Sequence, residues 1–485
     1  MKKSARIALH CLLAMVLTVP LAACGSDTKD TTPKKDMSTN TREQLAELSK
    51  SDERLTGELE NKTIKWMSDW DINSDDTGKT TPIELAVFQE RYGGQIEFHQ
   101  TTYGARYDNL ANAINSDEGI DFFYGGNWDA FPKGAVRGMF VPYDDYIDLD
   151  SDLWKDVKAA NDAMVWNDKH YMAIVEVTGD QCAIIYNRKT MDENGLDDPA
   201  ELFEKGKWDW DAFMDMMKTF VSNAKDGETR YGINGWFGQA MVQSTGETFV
   251  KYDGSKFSNN ISNPAIEEAE GVMEEIMSLG LYDPTWYGYL PDDGSTLFFG
   301  MADWALGASN VKADPNPDYE DDGFVEENDL MIVPFPKQPG SDEYYLNCNF
   351  GAKMLVKNSD KGDAVAAYIK CERLAAMIDE YKDAAKEKAI IPEVNAQGKL
   401  KSYVTEEQYD ALQDYKDPKN ITPIFDFGYG MGSRMYGDGE YTYETRGVMN
   451  NLTSALLNGD KDSWAVLRDE WSSVIDEVID GYNNK

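Results

Sequence analysis

Thr63-Ile64-Lys65-Trp66-Met67, Gln95-Ile96-Glu97-Phe98-His99 and Ile120-Asp121-Phe122-Phe123-Tyr124 are the runs that decide the fold. Each is short, and the second alternates apolar with polar residues as a strand does. Residues 82–91 and 109–114 lie between them and read as helices. Parallel strands need a long crossover, usually a helix. Strand, helix, strand, helix, strand therefore reads as a parallel sheet with helices on its faces. The third run ends in Gly125-Gly126, a turn.

Towards the C-terminus a second α/β section follows. Residues 172–177 and 182–186 are strand-like, and 209–220 form an amphipathic helix with Phe213, Met216, Met217 and Phe220 on one stripe. Residues 264–278 are a further helix, and 330–335 and 352–356 read as strands. From Asp363 the chain reads as mostly helical. Thr405-Glu406-Glu407-Gln408 has the form of a capping box, and Trp464, Leu467, Trp471, Val474, Ile475, Val478 and Ile479 share one face of a terminal helix. Two α/β sections in a 485-residue chain exceed one core and imply two lobes.

At the N-terminus, Lys2, Lys3 and Arg6 precede an apolar run from Ile7 to Leu21, then Ala22-Ala23-Cys24-Gly25. A basic start, a short apolar core and small residues at the cut make a secretory signal, too short for a membrane span. Its terminal cysteine resembles that of a bacterial lipoprotein, which predicts lipidation of Cys24 and anchoring by buried methylenes. Residues 24–57 are polar and read as a disordered tether with a short helix around Arg42–Leu48.

The chain carries 87 Asp and Glu against 47 Lys and Arg, a formal charge of −40. Such a surface repels nucleic acid and anionic lipid. With Cys11 in the signal and Cys24 at the junction, Cys182, Cys348 and Cys371 remain, too few and too scattered for a disulfide framework. Three histidines make a His-based metal site improbable, and no cofactor is expected. Aromatics reach 12%, with 12 Trp and 26 Tyr, which suits flat, partly apolar ligands such as sugars.

Several segments, in order, resemble the maltose-binding-like family 1 of extracellular solute-binding proteins, receptors of ABC importers. They include Ile120 to Phe131, Gly138-Met139-Phe140-Val141-Pro142-Tyr143-Asp144-Asp145-Tyr146-Ile147, and Ile184-Ile185-Tyr186-Asn187-Arg188-Lys189 with Asn194-Gly195-Leu196-Asp197-Asp198-Pro199. Trp208 to Phe213, Tyr231-Gly232-Ile233, Phe299-Gly300-Met301-Ala302-Asp303-Trp304 and Val333-Pro334-Phe335-Pro336 continue the series. The likeness spans about residues 60–380. It implies a two-lobed periplasmic-binding-protein-like fold of type II, with mostly parallel sheets, flanking helices and a helical C-terminal region. The expected divisions are signal 1–23, tether 24–57, lobe 1 at 58–175 and 331–372, lobe 2 at 176–330, and helices at 373–485 packing mainly on lobe 2. The family implies a monomeric, non-enzymatic receptor that holds a solute, here a sugar, between its lobes for an importer permease. The rival reading is an extracellular carbohydrate-active hydrolase or lyase.

Ligand-facing residues should lie on loops after parallel strands. Trp70 and Asp71 follow the first strand, and Asn127, Trp128 and Asp129 follow the third, in a turn that touches ligand in the family. The resemblance also points to Asp180 on the crossing and to Trp304. Trp236 and Trp286 are further candidate platforms, Asn347 and Asn349 flank the return crossing, and the Gly-rich stretch from Phe427 places Tyr429 and Arg434 over the cleft mouth. Asp318, Glu320, Asp322, Gly323 and Asp329 imitate a calcium loop but lack a flanking helix pair, so they read as an acidic turn.

Overall fold

Strand β1 (Thr63–Ser68) is central in its sheet, which is why Trp66 has no contact with water. The computed structural model describes residues 39–74, 81–126, 130–178, 183–313, 329–347, 349–394, 399–417, 419–437 and 442–484. Parallel to β1 lie β2 (Gln95–Gln100) and β3 (Phe122–Tyr124). The sheet continues from β3 to β11 (Asn349–Val356) and on to β4 (Phe140–Val141), with β5 (Ala173–Thr178) also paired to β11. Helix α2 (Ile83–Tyr92) buries Leu85, Ala86 and Phe88 and stops at Gly93, whose φ of 66° is the left-handed C-cap glycine adopts readily. Helix α3 (Arg106–Ser116) follows β2. Trp66, Phe122, Phe88 and Tyr368 pack in tilted and edge-to-face pairs through this core, the last from α7 (Gly362–Met377).

The second sheet has the order β8-β7-β9-β6-β10, made of Tyr282–Asp283, Tyr231–Gly235, Thr296–Met301, Ala183–Asn187 and Leu330–Pro334 respectively. Helix α4 (Trp210–Ser222) packs its predicted stripe on this sheet, and α5 (Pro264–Ser278) is capped by the Asn263 side chain. Trp208 sits at the centre, its Nε1 donating to the Pro334 carbonyl at 2.8 Å.

Two expectations need correction. Residues 39–57 are not a tether. Helix α1 (Thr39–Ser51) lies against α2, Leu45 and Leu55 enter the lobe 1 core, and Thr41 Oγ1 donates to Glu387 Oε2 at 2.8 Å. A polar segment can dock with so few apolar residues because the core it joins already exists. The lobe bounds also move: residues 176–178 belong to β5 of the lobe 1 sheet and 331–334 to β10 of the lobe 2 sheet, and part of the 373–485 region, expected mainly on lobe 2, lies on lobe 1. Helix α8 (Asp379–Ala389), which supplies Glu387, packs on α7 and α2 in lobe 1. Helix α9 (Glu406–Lys416), with the predicted capping box at Thr405 and Gln408, packs on β10, and α10 (Trp464–Asn483) packs on α5. Short strands at Glu393–Val394, Leu400–Ser402 and Thr422–Ile424 interrupt the helical region.

Several acids are buried. Burial pushes the carboxyl of Glu270 upward, and burial outweighs the Lys353 partner of Glu372 in the same direction. Burial also lifts Asp426 to about 7, although its oxygens accept N–H bonds from Phe249, Val250 and Gly428. Unfolded, such groups titrate near 4. The native chain therefore holds extra protons between about pH 4 and 7, so their stabilising share is complete at the acid end and lost as pH rises through 7. The formal charge of −40 acts in the same direction. Calorimetry should give a higher melting temperature at pH 5 than at pH 8, and a flat or reversed profile would contradict this account.

Candidate functional site

Because β1, β2 and β3 run parallel, Ser68, Gln100 and Tyr124 end at one edge of the lobe 1 sheet. Strand β11 is antiparallel to both β3 and β5, so β5 points the same way as β3. Lys353 is level with Tyr124 and with Ala173, so β5 begins where β3 ends and carries the chain past that edge. In lobe 2, Ala183 at the start of β6 is level with Met301 and Pro334, the last residues of β9 and β10. The chain thus enters lobe 2 at its carboxyl edge too. Two carboxyl edges meet across the crossing, the place where open α/β sheets bind ligands.

Aromatic side chains collect there. Among the described residues nine large hydrophobics are exposed, and six of them (Trp70, Tyr103, Trp236, Trp286, Tyr287 and Trp304) follow the carboxyl ends of parallel strands, which marks these edges as the apolar surface left uncovered. Trp70 is 40% exposed, Tyr103 60%, Trp236 57%, Trp286 49% and Trp304 52%. Trp70 is wedged edge-on against Trp66 and Tyr124, with centroids 5.4 and 5.0 Å away. Tyr103 carries the Arg106 guanidinium over its ring at 3.7 Å, and that guanidinium also donates to the Tyr103 carbonyl. In lobe 2, Trp236 and Trp286 stack on one another at 4.7 Å and 24°. Trp304 opens α6 (Trp304–Ala313). Neighbouring strands lie about 4.8 Å apart, so indoles issuing from β8, β7 and β9 in succession span roughly 10 Å between their anchor points. That is the length of about two sugar rings.

Glu176 lies on the crossing itself. Its neighbours Ala173, Ile174 and Val175 are buried, whereas Glu176 is exposed. Protein nonetheless surrounds it, and the resulting desolvation raises its carboxyl pKa, with Lys416, Glu84, Lys353 and Asp303 acting on it from both lobes. Glu176 thus lies exposed on the crossing strand with charged groups of both lobes around it, as a residue on the floor of a cleft would. Gly351 faces it, and a Cβ there would come within 3.1 Å of Glu176 Cγ, so the glycine leaves room for the carboxylate arm. Beside Trp304, Asp303 Oδ2 pairs with Lys416 Nζ at 3.0 Å. At the end of β1, Ser68 Oγ and Asp69 Oδ1 are buried without a hydrogen-bond partner among the described residues. Sugar hydroxyls can satisfy such groups.

The other expected residues divide. Asp71 Oδ1 accepts from the backbone and side-chain nitrogens of Asn73, both at 2.9 Å, and so shapes the turn. Asn347 ends the strand Tyr345–Asn347, and Asn349 opens β11 opposite Thr178, placing both backbones beside the crossing. Asn127, Trp128, Asp129, Asp180 and most of the 318–329 turn lie outside the described residues. Among the described residues no group of three metal-ligating side chains gathers. Tyr429 is a correction. It is 1% exposed, packed against Tyr436 in the core rather than over the cleft mouth. Arg434 is exposed and held in an ion pair with Glu477 of α10 at 3.0 Å. Sequence reasoning missed Tyr103 and Glu176. The one signal for Glu176 was a charge interrupting the apolar run Ala173-Ile174-Val175.

The sequence model of the family described as bacterial extracellular solute-binding protein matches residues 72–371. The chain belongs to this family. Solute-binding proteins of this kind are extracellular and are not enzymes, which sets aside the hydrolase or lyase reading. Solved structures share the two-lobed fold of this solute-binding protein. An ABC-transporter-associated binding protein from B. animalis subsp. lactis Bl-04, in complex with β-1,6-galactobiose, is 17% identical at a TM-score of 0.56, over 87% of this chain and 98% of its own. The cyclic α-maltosyl-1,6-maltose binding protein from Arthrobacter globiformis is 14% identical at 0.59, over 87% and 99%. The galacto-N-biose/lacto-N-biose I-binding protein of Bifidobacterium longum, in complex with lacto-N-biose, is 11% identical at 0.58, over 87% and 97%. No curated protein matches this solute-binding protein in sequence.

Proposed function

We propose that the protein is a lipid-anchored receptor that captures an oligosaccharide between its lobes and delivers it to an ABC importer. The observation that carries this reading is the row of exposed rings on both carboxyl edges, Tyr103 and Trp70 on one side and Trp286, Trp236 and Trp304 on the other. A pyranose offers an apolar C–H face to such rings and hydroxyls to carboxylates at their rim. The similar folds named above hold sugars, which supports the same class here. A solute touching both lips gains its full contacts only when the lobes close, so binding shifts the open–closed balance that a permease can sense. Both lips belong to one chain, so a monomer suffices. Trp128 and Asp180, which follow β3 and β5 in sequence, remain candidates of this site from sequence alone.

Thermal melting against a panel of mono- and oligosaccharides tests the reading. At a free concentration 100-fold above the dissociation constant, a bound glycan should stabilise the fold by about 2.7 kcal/mol. The glycan should be recovered unchanged. A panel without any shift, or a hit that is consumed, rejects the proposal. Anchoring has its own test. Cys24→Ala should move the protein from the membrane fraction to the medium, and retention in the membrane would reject lipidation there.

A further inference from the structure

We propose that Glu176, together with Asp303, makes the cleft select uncharged glycans over those bearing uronate or sulfate groups. The inference rests on the carbohydrate reading above and narrows its substrate class. Glu176 is carried onto the cleft floor by β5, two residues before the end of that strand. The charged groups acting on it come from Glu84 and Lys353 in lobe 1 and from Asp303 and Lys416 in lobe 2. Both cations are committed. Lys353 Nζ lies 2.7 Å from Glu372 Oε1, and Lys416 Nζ lies 3.0 Å from Asp303 Oδ2. Four carboxyl groups thus surround two ammonium groups, an excess of two negative charges once Glu176 and Glu372, both pushed upward by burial, have ionised. On the lobe 1 lip, the Arg106 guanidinium is buried, stacked on Tyr103 and bonded to its carbonyl.

This balance favours hydroxyls and opposes anions. A carboxylate accepts hydroxyl hydrogen bonds that are stronger than neutral ones, so a neutral sugar is held well. A uronate or sulfate placed there meets like charge where protein has displaced much of the screening water. The formal charge of −40 over the whole chain lowers the encounter rate of anionic glycans as well.

The test uses the full chain. Malto- and galacto-oligosaccharides that raise the melting temperature are paired with their own C6-oxidised uronate forms, and both are titrated by calorimetry. The neutral form should bind at least tenfold tighter to the wild type. In Glu176→Gln the gap should narrow several-fold, because the uronate gains affinity. Asp303→Asn should narrow it too, by releasing Lys416. Loss of the C6 hydroxyl is common to all three proteins, so the narrowing isolates charge. Both variants should melt within a few degrees of the wild type, since each swap keeps the shape of the side chain and neither residue belongs to a hydrophobic core. Equal or tighter binding of the uronate by the wild type, or a gap unchanged in both variants, overturns charge selection while leaving the carbohydrate reading intact. If no glycan of either kind binds, both readings fall.

Discussion

Trp304→Ala should weaken binding of the best glycan ligand by about 2 kcal/mol, roughly 30-fold, as truncating a central aromatic anchor does. Trp304 is about half exposed in the free protein, so its removal opens no cavity in either core. The melting temperature without ligand should therefore stay close to that of the wild type. Trp236→Ala should behave similarly, with an added loss because Trp286 then keeps, among the described residues, Phe299 at 6.4 Å as its one aromatic neighbour. Calorimetric titration beside unliganded melting curves separates the two quantities. A loss under threefold for both variants would remove the indole row from the site.

Arg373→Met should cost about 3 kcal/mol or more of folding stability, because a buried cation's partners would be left unpaired. Its guanidinium is buried and donates to the carbonyls of Leu153 at 2.7 Å and Val175 at 2.6 Å, with Asp156 as its ion partner. Val175 is the residue before Glu176, so this one side chain ties α7 to the strand that crosses between lobes. Denaturant unfolding measures the loss. A change under 1 kcal/mol would mean that water replaces the arginine at both carbonyls.

The parallel order of β1, β2 and β3 was legible because each run is short and separated from the next by helical spacing. The exposed positions of Trp70, Trp236, Trp286 and Trp304 after parallel strands were legible from where those strands end. Glu176 was not, since its role depends on the register of β5 against β11, set by pairing between distant parts of the chain. Tyr429 misled for a physical reason. The glycines around it suggested a loose surface loop, but a Cβ at Gly430 would fall 2.0 Å from the Phe131 carbonyl oxygen. Those glycines serve close packing against lobe 1, not freedom. In α1 composition misled likewise, because a few leucines suffice when a finished core is at hand.

The docking of α1 changes the mechanics of tethering. A leash ending at residue 57 would let the whole body wander far from its anchor. On the lipidation proposed at Cys24, docking of α1 on lobe 1 leaves roughly 15 residues of sequence between anchor and folded body, a span of at most about 50 Å. Any pull along that leash is delivered to α2 and α8, the helices that hold α1 on lobe 1. On the proposed anchoring, lobe 1 is the moored half of the molecule and lobe 2 the half that swings.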